Sequence, residues 1–392
     1  MRRRGRLLVV VTLASVVFAS FLLLTSASTS TAGPLTALLE RVGSSVAALE
    51  HRIRIGLLGG GRLRTLAWFQ PYRDSLSLLR HPRDVLLGVY DGGVPATLDG
   101  VERLERALGV QLPLVQAYGA WGDKPEQQFP RGLLTAIADF GSVPLVTWEP
   151  WLVDFDNGRH PGLALRDHRD EHGLAAVARG DYDFYIDAWA REAADYRRPM
   201  FLRFAHEMND PYRYPWGPQH DTKEEYIAAW RHVVSRFRLA GATNVLWVWS
   251  PHVAYQYWET YYPGDAYVDW VATGALNFGP IAQWSRWWTF DEIFGSKYPA
   301  LASFRKPIMI AELGSLAVGG DRATWYREAL DSLPSRYPAV RAVLLFHTAG
   351  DKTVTYQAVD WTVVDDITTR ASLGASLRRW APGPRTPPVP GR

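Results

Sequence analysis

The chain has 392 residues, of which 47% are hydrophobic and 21% are charged, and its formal net charge is +3. These fractions are typical of a globular protein, and they exclude a disordered, collagen-like or coiled-coil chain. The near-neutral charge lacks the basic signature of a nucleic-acid-binding protein, so we expect no nucleic-acid partner. Cysteine is absent, which excludes disulfides, thiolate catalysis and cysteine-ligated metal sites.

The N-terminus has the pattern of an export signal. Four arginines within the first six residues precede an uncharged run from Leu7 to Leu24, and small polar residues follow up to Ala32. This order predicts a signal peptide over residues 1–32. The apolar run also reaches bilayer-spanning length, so an uncleaved membrane anchor through residues 7–24 is the alternative. We therefore expect a secreted or cell-surface protein.

Two further segments flank the main body of the chain. In residues 33–80, apolar side chains with helical spacing between Leu35 and Leu49 predict a lead-in helix, which a loop follows. Residues 382–392 are rich in proline and predict a disordered tail. The intervening residues 81–381 are expected to form a single domain.

Within residues 81–381, short apolar runs alternate with amphipathic helical patterns. The predicted strands are 85–90, 112–118, 143–148, 200–204, 245–249, 270–276, 308–311 and 342–346, and helical patterns cover 132–140, 183–196, 223–240, 323–333 and 368–380. This alternation indicates a parallel sheet with helical crossovers. Eight strands in this length favour a (β/α)8 TIM barrel, and an open doubly wound sheet is the alternative.

Polar side chains follow the predicted strands, where the active-site loops of such a barrel begin. The strand ends carry Tyr90-Asp91, Tyr118, Glu149, Glu207, His252, Glu312 and His347. Glu207 and Glu312 each follow an almost wholly apolar strand, the fourth and the seventh, whose ends face each other across the barrel mouth. Facing carboxylates suit glycoside hydrolysis, in which one donates a proton and the other acts as nucleophile or activates water. The alternative is structural, with both carboxylates in rim salt bridges to Arg203 and other bases.

The sequence around these carboxylates resembles a known enzyme family. The segment 201–217 contains Arg203, then His-Glu-Met-Asn at 206–209, then Trp-Gly at 216–217. Together with Thr-Trp-Glu-Pro-Trp at 147–151 and Lys-Pro-Ile-Met-Ile-Ala-Glu at 306–312, this pattern resembles glycoside hydrolase family 26. The family consists mostly of endo-β-mannanases, with some β-glucanases and xylanases.

The resemblance implies a role for each matching residue. Glu207 would be the acid/base and Glu312 the nucleophile of a retaining double displacement, and His206 would hold the acid/base or contact the sugar. The residues implied in substrate binding are His206, Trp216, Trp148, Trp151, Arg203, Trp249 and Asn277. Of these, Trp216 would stack on a sugar ring, and Trp148, Trp151 and Trp249 are the other candidate stacking platforms. In the family, the sixth strand ends in a Tyr that donates a hydrogen bond to the nucleophile. Leu276 takes that position here, so Asn277 or a neighbour is expected to supply the donor.

These observations together predict an exported endo-β-glycanase that cleaves internal bonds of a mannan- or glucan-like polysaccharide. We expect a monomer that needs no cofactor and no metal. His160, His168 and His172 lie in an acidic stretch, but their spacing matches no zinc or calcium motif, and a solvated loop explains them better. The alternatives are a membrane-anchored hydrolase that trims a polysaccharide made by the same cell, and a barrel that binds glycan without cleaving it.

Overall fold

The computed structural model describes residues 61–94, 96–282, 284–353, 355 and 357–380. Eight parallel strands in sequential order close into a barrel, and the first strand pairs with both the second and the eighth. The strands are β1 (Leu86–Asp91), β2 (Leu114–Ala120), β3 (Val143–Glu149), β4 (Met200–Phe204), β5 (Val245–Trp249), β6 (Trp270–Asn277), β7 (Ile308–Ser315) and β8 (Val340–His347). The predicted TIM barrel and its eight strands are confirmed, and the open-sheet alternative is wrong.

Helices precede the barrel and form its outer layer. They are α1 (Gln70–Arg73), α2 (Leu76–Arg80), α3 (Asp99–Leu108), α4 (Arg131–Asp139), α5 (Gly173–Arg179), α6 (Asp183–Tyr196), α7 (Lys223–Leu239), α8 (Tyr298–Ser303), α9 (Arg322–Arg336) and α10 (Ile367–Trp380). All five predicted helical stretches are present, as α4, α6, α7, α9 and α10. Between β5 and β6 the chain forms the short 3₁₀ turns Trp258–Tyr261 and Asp265–Tyr267.

Side chains alternate between two apolar layers along the strands. Inward-facing residues such as Leu145 and Phe201 form a cluster inside the barrel, and Leu66 and Phe69 from the segment before β1 pack against that same cluster. A larger cluster lies between the outside of the barrel and the helices. Apolar side chains fill the N-terminal end of the barrel. The buried polar side chains of β2, β3, β4 and β7 lie toward its C-terminal end.

Several predictions lie outside the described residues. They are the signal peptide or anchor, the lead-in helix between Leu35 and Leu49, and the tail 382–392. Residues 61–80, the described part of the lead-in segment, are largely helical. Within the part of the chain that the structure describes, no helix is long and apolar enough to cross a membrane.

The lead-in segment is tied to the helix layer by a buried ion pair. Arg62 Nη2 lies 2.7 Å from Glu105 Oε1, with the two side chains 8% and 5% exposed, and Glu105 Oε1 also accepts a hydrogen bond from the backbone N–H of Leu112 at 2.7 Å. Removal of Arg62 leaves a buried carboxylate without its counter-charge. We therefore expect this pair to contribute to the stability of the barrel.

We predict that Arg62→Ala lowers the free energy of unfolding by about 3–5 kcal/mol, as measured by chemical denaturation. Arg64→Ala is the matched control, because Arg64 is exposed in the same helical segment, and its effect should stay within about 0.5 kcal/mol. Equal denaturation midpoints for the two variants would contradict the role assigned to Arg62.

Candidate active site

Glu312, on β7, accepts two strong hydrogen bonds inside the barrel mouth. The side chain is 9% exposed, and its Oε1 lies 2.6 Å from Arg203 Nη2 and 2.6 Å from the Tyr118 hydroxyl. Burial opposes ionisation, but the Arg203 charge and the hydrogen bonds from Tyr118 and Arg203 outweigh it and hold the pKa of Glu312 below its usual value. Arg203 is oriented in turn by Thr147, whose Oγ1 accepts a hydrogen bond from Nε at 2.9 Å.

Glu207 reaches the mouth through an unusual turn after β4. Ala205 and Glu207 both have positive φ, 41° and 55°, which is uncommon for residues other than glycine. The backbone N–H of Glu207 donates to the Ser250 carbonyl at 2.7 Å, which fixes the turn against the end of β5. The carboxylate lies 3.4 Å from Arg213 Nη1 and 3.9 Å from His252 Nε2.

His206, between Ala205 and Glu207, is locked by its neighbours. Its Nε2 lies 3.1 Å from the Tyr214 hydroxyl, and its carbonyl accepts a hydrogen bond from Trp216 Nε1 at 2.7 Å. Burial, together with the charges of Arg203 and Arg213, holds the pKa of His206 well below its usual value, so the ring is neutral. Of its two predicted roles, this burial favours holding the acid/base in position.

Three of the predicted sugar-stacking tryptophans have no open ring face. Trp148 and Trp249 are buried on the helix side of the barrel, where Trp148 packs on Trp189 with ring centres 4.7 Å apart. Trp216 is also buried and stacks on Tyr214 with ring centres 4.5 Å apart. The prediction that these three rings stack on sugar is therefore wrong. Trp151 is half-buried at the mouth, and its assignment as a sugar platform stays a prediction.

Asn277 does not supply the expected donor to Glu312. Its Nδ2 donates to Ser315 Oγ at 3.0 Å, and its Oδ1 accepts the backbone N–H groups of Gly279 and Trp288, each at 3.2 Å. Asn277 therefore shapes the loop after β6, and the prediction that it donates to the nucleophile is wrong. Tyr118, from the opposite side of the barrel, provides the hydroxyl donor that the sixth strand lacks.

Four polar residues of the site were absent from the predicted set: Tyr118, Glu149, Arg213 and His252. Tyr118, Glu149 and His252 lie at strand ends, and this position is the sequence feature from which their place in the site could have been predicted. Burial raises the pKa of Glu149, against a hydrogen bond from Trp151 and the charges of Arg203 and Arg213. Arg213 lies in the loop after β4, and no sequence pattern indicated its contact with Glu207.

One set of side chains in the site has the composition of a metal centre. Glu207, Asp210 and His252 each place one donor atom within 4.8 Å of the others. The positive charge of Arg213 already neighbours this set, and Asp210 Oδ1 accepts the backbone N–H of Tyr212 at 2.9 Å.

In the acidic loop, His160, His168 and His172 pair with three different carboxylates, those of Asp123, Glu171 and Glu225.

Comparison with known proteins gives concordant matches. The model described as Glycosyl hydrolase family 26 matches residues 175–301. Endoglucanase H of Acetivibrio thermocellus is 32% identical over 280 residues, covering 69% of this chain and 29% of that protein. Mannan endo-1,4-beta-mannosidase A and B of Caldalkalibacillus mannanilyticus is 28% identical over 149 residues, covering 36% of this chain and 26% of that protein. The chain thus spans less than a third of these curated relatives.

A solved structure shares the fold. A GH26 beta-mannanase from Bacteroides ovatus superimposes with a TM-score of 0.53 at 19% sequence identity, covering 75% of this chain and 89% of that one. At this identity the likeness shows the architecture alone.

The hydrogen bond from Tyr118 gives a testable pH dependence. Because the folded-state pKa of Glu312 lies below its ordinary value of 4.5, its contribution to stability is present above that value and is lost as the pH falls through the folded pKa. We predict that Tyr118→Phe raises the pKa of Glu312 and moves this loss to higher pH, as followed by carboxyl ¹³C NMR titration. Tyr90→Phe, at a ring 4.8 Å from that of Tyr118, is the control. The same Glu312 titration in both variants would refute the assignment of Tyr118.

Proposed function

Because the chain belongs to glycoside hydrolase family 26, we propose that it hydrolyses internal β-linkages of a polysaccharide with retention of configuration. The observation that carries the proposal is the pair of buried carboxylates at the barrel mouth, Glu207 in the turn after β4 and Glu312 within β7. Glu312 accepts hydrogen bonds from an arginine and from a tyrosine hydroxyl, and these contacts suit an ionised nucleophile. Glu207 stands beside a second arginine, Arg213, and a histidine, His252.

In the first step, Glu207 donates its proton to the leaving oxygen while Glu312 attacks the anomeric carbon. Arg203 and Tyr118 both bond to Oε1 of Glu312, so Oε2 is the attacking oxygen. Gly274 adjoins Oε2, and a Cβ at that position would lie 3.8 Å from it. No side chain at Gly274 therefore covers this oxygen.

In the second step, the glycosyl-enzyme ester on Glu312 is hydrolysed. Glu207, now ionised, takes a proton from water, and the resulting hydroxide attacks the anomeric carbon from the face the leaving group has vacated. Arg203 and Tyr118 stabilise the departing carboxylate of Glu312 through the same hydrogen bonds. Two inversions at one carbon give net retention.

Within the family's range of substrates, we favour a β-glucan over a mannan. The relative named an endoglucanase matches 69% of this chain, whereas the relative named a mannosidase matches 36%. Leu276 in place of a tyrosine donor to the nucleophile is the observation that favours the non-catalytic alternative. Tyr118 donates to Glu312 at 2.6 Å, which supports the hydrolase over that alternative.

We extend the proposal to location and assembly. The basic and apolar order of the first 32 residues supports export, with residues 7–24 as either a cleaved signal or an anchor. The protein acts as a monomer in this proposal. Cell fractionation with N-terminal sequencing separates the two fates of the signal, and light scattering of the purified protein measures its assembly state.

We predict that Glu207→Ala and Glu312→Ala each lower kcat/KM on β-glucan by at least about 10³-fold, because each removes a group that takes part in bond making or breaking. Glu328→Ala is the control, since this glutamate is exposed on α9. Thermal unfolding should show that all three variants remain folded.

Azide distinguishes the two catalytic roles. It should partly restore turnover of an activated aryl glycoside by Glu207→Ala and give a β-glycosyl azide, because the small anion attacks the glycosyl-enzyme without a general base. With Glu312→Ala, rescue should instead give an α-glycosyl azide, because azide then attacks in place of the missing carboxylate. Near-normal activity of either alanine variant on the natural polysaccharide would show that the catalytic pair is assigned incorrectly.

A further inference from the structure

A buried carboxyl group outside the active site, that of Asp221, holds the loop after β4 against α5. Asp221 lies near the end of that loop and is 5% exposed. Its Oδ1 accepts the backbone N–H of Leu174, in the first turn of α5, at 2.8 Å. His172, at the N-terminal end of α5, does not cap the helix with its own side chain, so Asp221 caps it from the neighbouring loop. We call the contact between Asp221 and Leu174 the Asp221 cap.

The second oxygen of this carboxyl group is buried without a partner. Asp221 Oδ2 has no hydrogen-bond partner among the residues that the structure describes. Asp221 lines a surface cavity of about 510 Å³, together with the titratable side chains of Glu171, His172, His220, Lys223, Glu224 and Tyr261. An ionised oxygen buried without a partner is costly, whereas a protonated carboxyl group carries no charge. The stability of the cap therefore depends on whether Asp221 holds a proton.

The surroundings of Asp221 place its titration near neutral pH. Burial and the charge of Glu225, on α7, raise the pKa of Asp221 to about 7. The backbone N–H groups of Leu174 and Ala175 and the charge of His172 act in the opposite direction and lower this pKa. Glu225 is itself paired with His172, whose Nδ1 lies 2.8 Å from Glu225 Oε1. The carboxyl group of Asp221 therefore changes from mainly neutral to mainly ionised as the pH rises through about 7.

The loop after β4 connects the cap with the active site. The backbone N–H of Asp221 donates to the Gly217 carbonyl at 3.0 Å. Trp216, next to Gly217, donates from Nε1 to the His206 carbonyl at 2.7 Å, and His206 precedes Glu207 in the turn that brings this carboxylate to the barrel mouth. The cap and the turn that presents Glu207 are therefore joined by two hydrogen bonds and one short stretch of backbone.

We propose that the Asp221 cap is a pH-sensitive switch, which holds the loop after β4 against α5 when the carboxyl group is protonated and releases it when the group ionises. Ionisation places a negative charge on a buried oxygen that Glu225 repels, and release of the loop returns that charge to solvent. The effect on activity rests on the proposed function, in which the turn supported by this loop presents Glu207 as the acid/base. We therefore expect the protein to lose local order around the cap, and with it activity, as the pH rises above about 7.

The first test is thermal unfolding as a function of pH. Because the folded-state pKa of Asp221 lies above its ordinary value of 3.8, the contribution of the cap to stability is complete below that value and is lost as the pH rises through about 7. Asp221→Asn keeps an oxygen for the Leu174 N–H and cannot ionise. The Tm of this variant minus that of the unaltered protein should therefore rise by about 5 °C between about pH 5 and about pH 8.5. Asp195→Asn, at an exposed position on α6, is the control and should give a constant difference.

Amide hydrogen exchange tests the cap directly. In the unaltered protein, the protection factor of the Leu174 N–H should fall about tenfold between about pH 6 and about pH 8.5, because ionisation of the carboxyl group favours opening of the contact. In Asp221→Asn the protection factor should stay constant. The decrease is measured on the unaltered protein, so this test does not depend on the folding of the variant. A protection factor and a Tm difference that are both independent of pH would overturn the switch.

Activity measurements test the link between the cap and Glu207. In a protein that cleaves β-glycan, the kcat/KM of Asp221→Asn relative to that of the unaltered protein should rise severalfold from about pH 6 to about pH 8.5. Titration of the catalytic carboxylates affects both proteins alike and cancels from this ratio. A constant ratio would overturn the effect of the switch on activity. If the unaltered protein cleaves no β-glycan, the proposed function fails, and thermal unfolding and hydrogen exchange still decide whether the switch exists.

Discussion

The buried ion pair between Arg203 and Glu312 organises the mouth of the barrel. One guanidinium on β4 bonds to Thr147 on β3, to Tyr118 on β2 and to Glu312 on β7, so four strands meet at a single charged group. Charges buried in this way are costly unless they are paired and hydrogen-bonded, and loss of one partner leaves the other uncompensated. The contacts that offset the cost of burying the two charges also keep Glu312 ionised, and they determine which of its oxygens is free. The stability of the barrel mouth and its chemistry therefore depend on one interaction.

The second carboxylate is positioned by backbone conformation. The turn that presents Glu207 uses positive φ at two non-glycine residues, an arrangement that persists only where surrounding contacts determine it. Those contacts are three hydrogen bonds: from the Glu207 amide to the Ser250 carbonyl, from Trp216 to the His206 carbonyl, and from the loop after β5 to the Asn209 side chain. The buried Trp216 thus supports the turn from behind. Its role in the site is structural, and the exposed aromatic ring of this loop is that of Tyr212.

The barrel and its two carboxylates could be predicted because both follow from local patterns: apolar strands of regular spacing, and an acidic residue directly after two of them. The aromatic residues could not be assigned in the same way. Successive side chains of a strand point to opposite faces, and in β3 Thr147 points into the barrel whereas Trp148 points to the helices. When a strand is apolar on both faces, its sequence does not show which alternate set of residues points inward. The donor to Glu312 was missed for a different reason. Tyr118 lies 194 positions away in the sequence, and only closure of the barrel brings the two together.

Covalent trapping tests whether Glu312 is the nucleophile of a retaining reaction. A 2-deoxy-2-fluoro glycosyl fluoride of the favoured substrate slows both steps, and its good leaving group allows the glycosyl-enzyme to accumulate. We predict that intact mass spectrometry shows one added fluoroglycosyl group, that peptide mapping places it on Glu312, and that Tyr118→Phe changes the labelling rate but not the site. Label on any other residue would show that Glu312 is not the nucleophile, and hydrolysis with inverted configuration and no label at all would show that the reaction is not a retaining one.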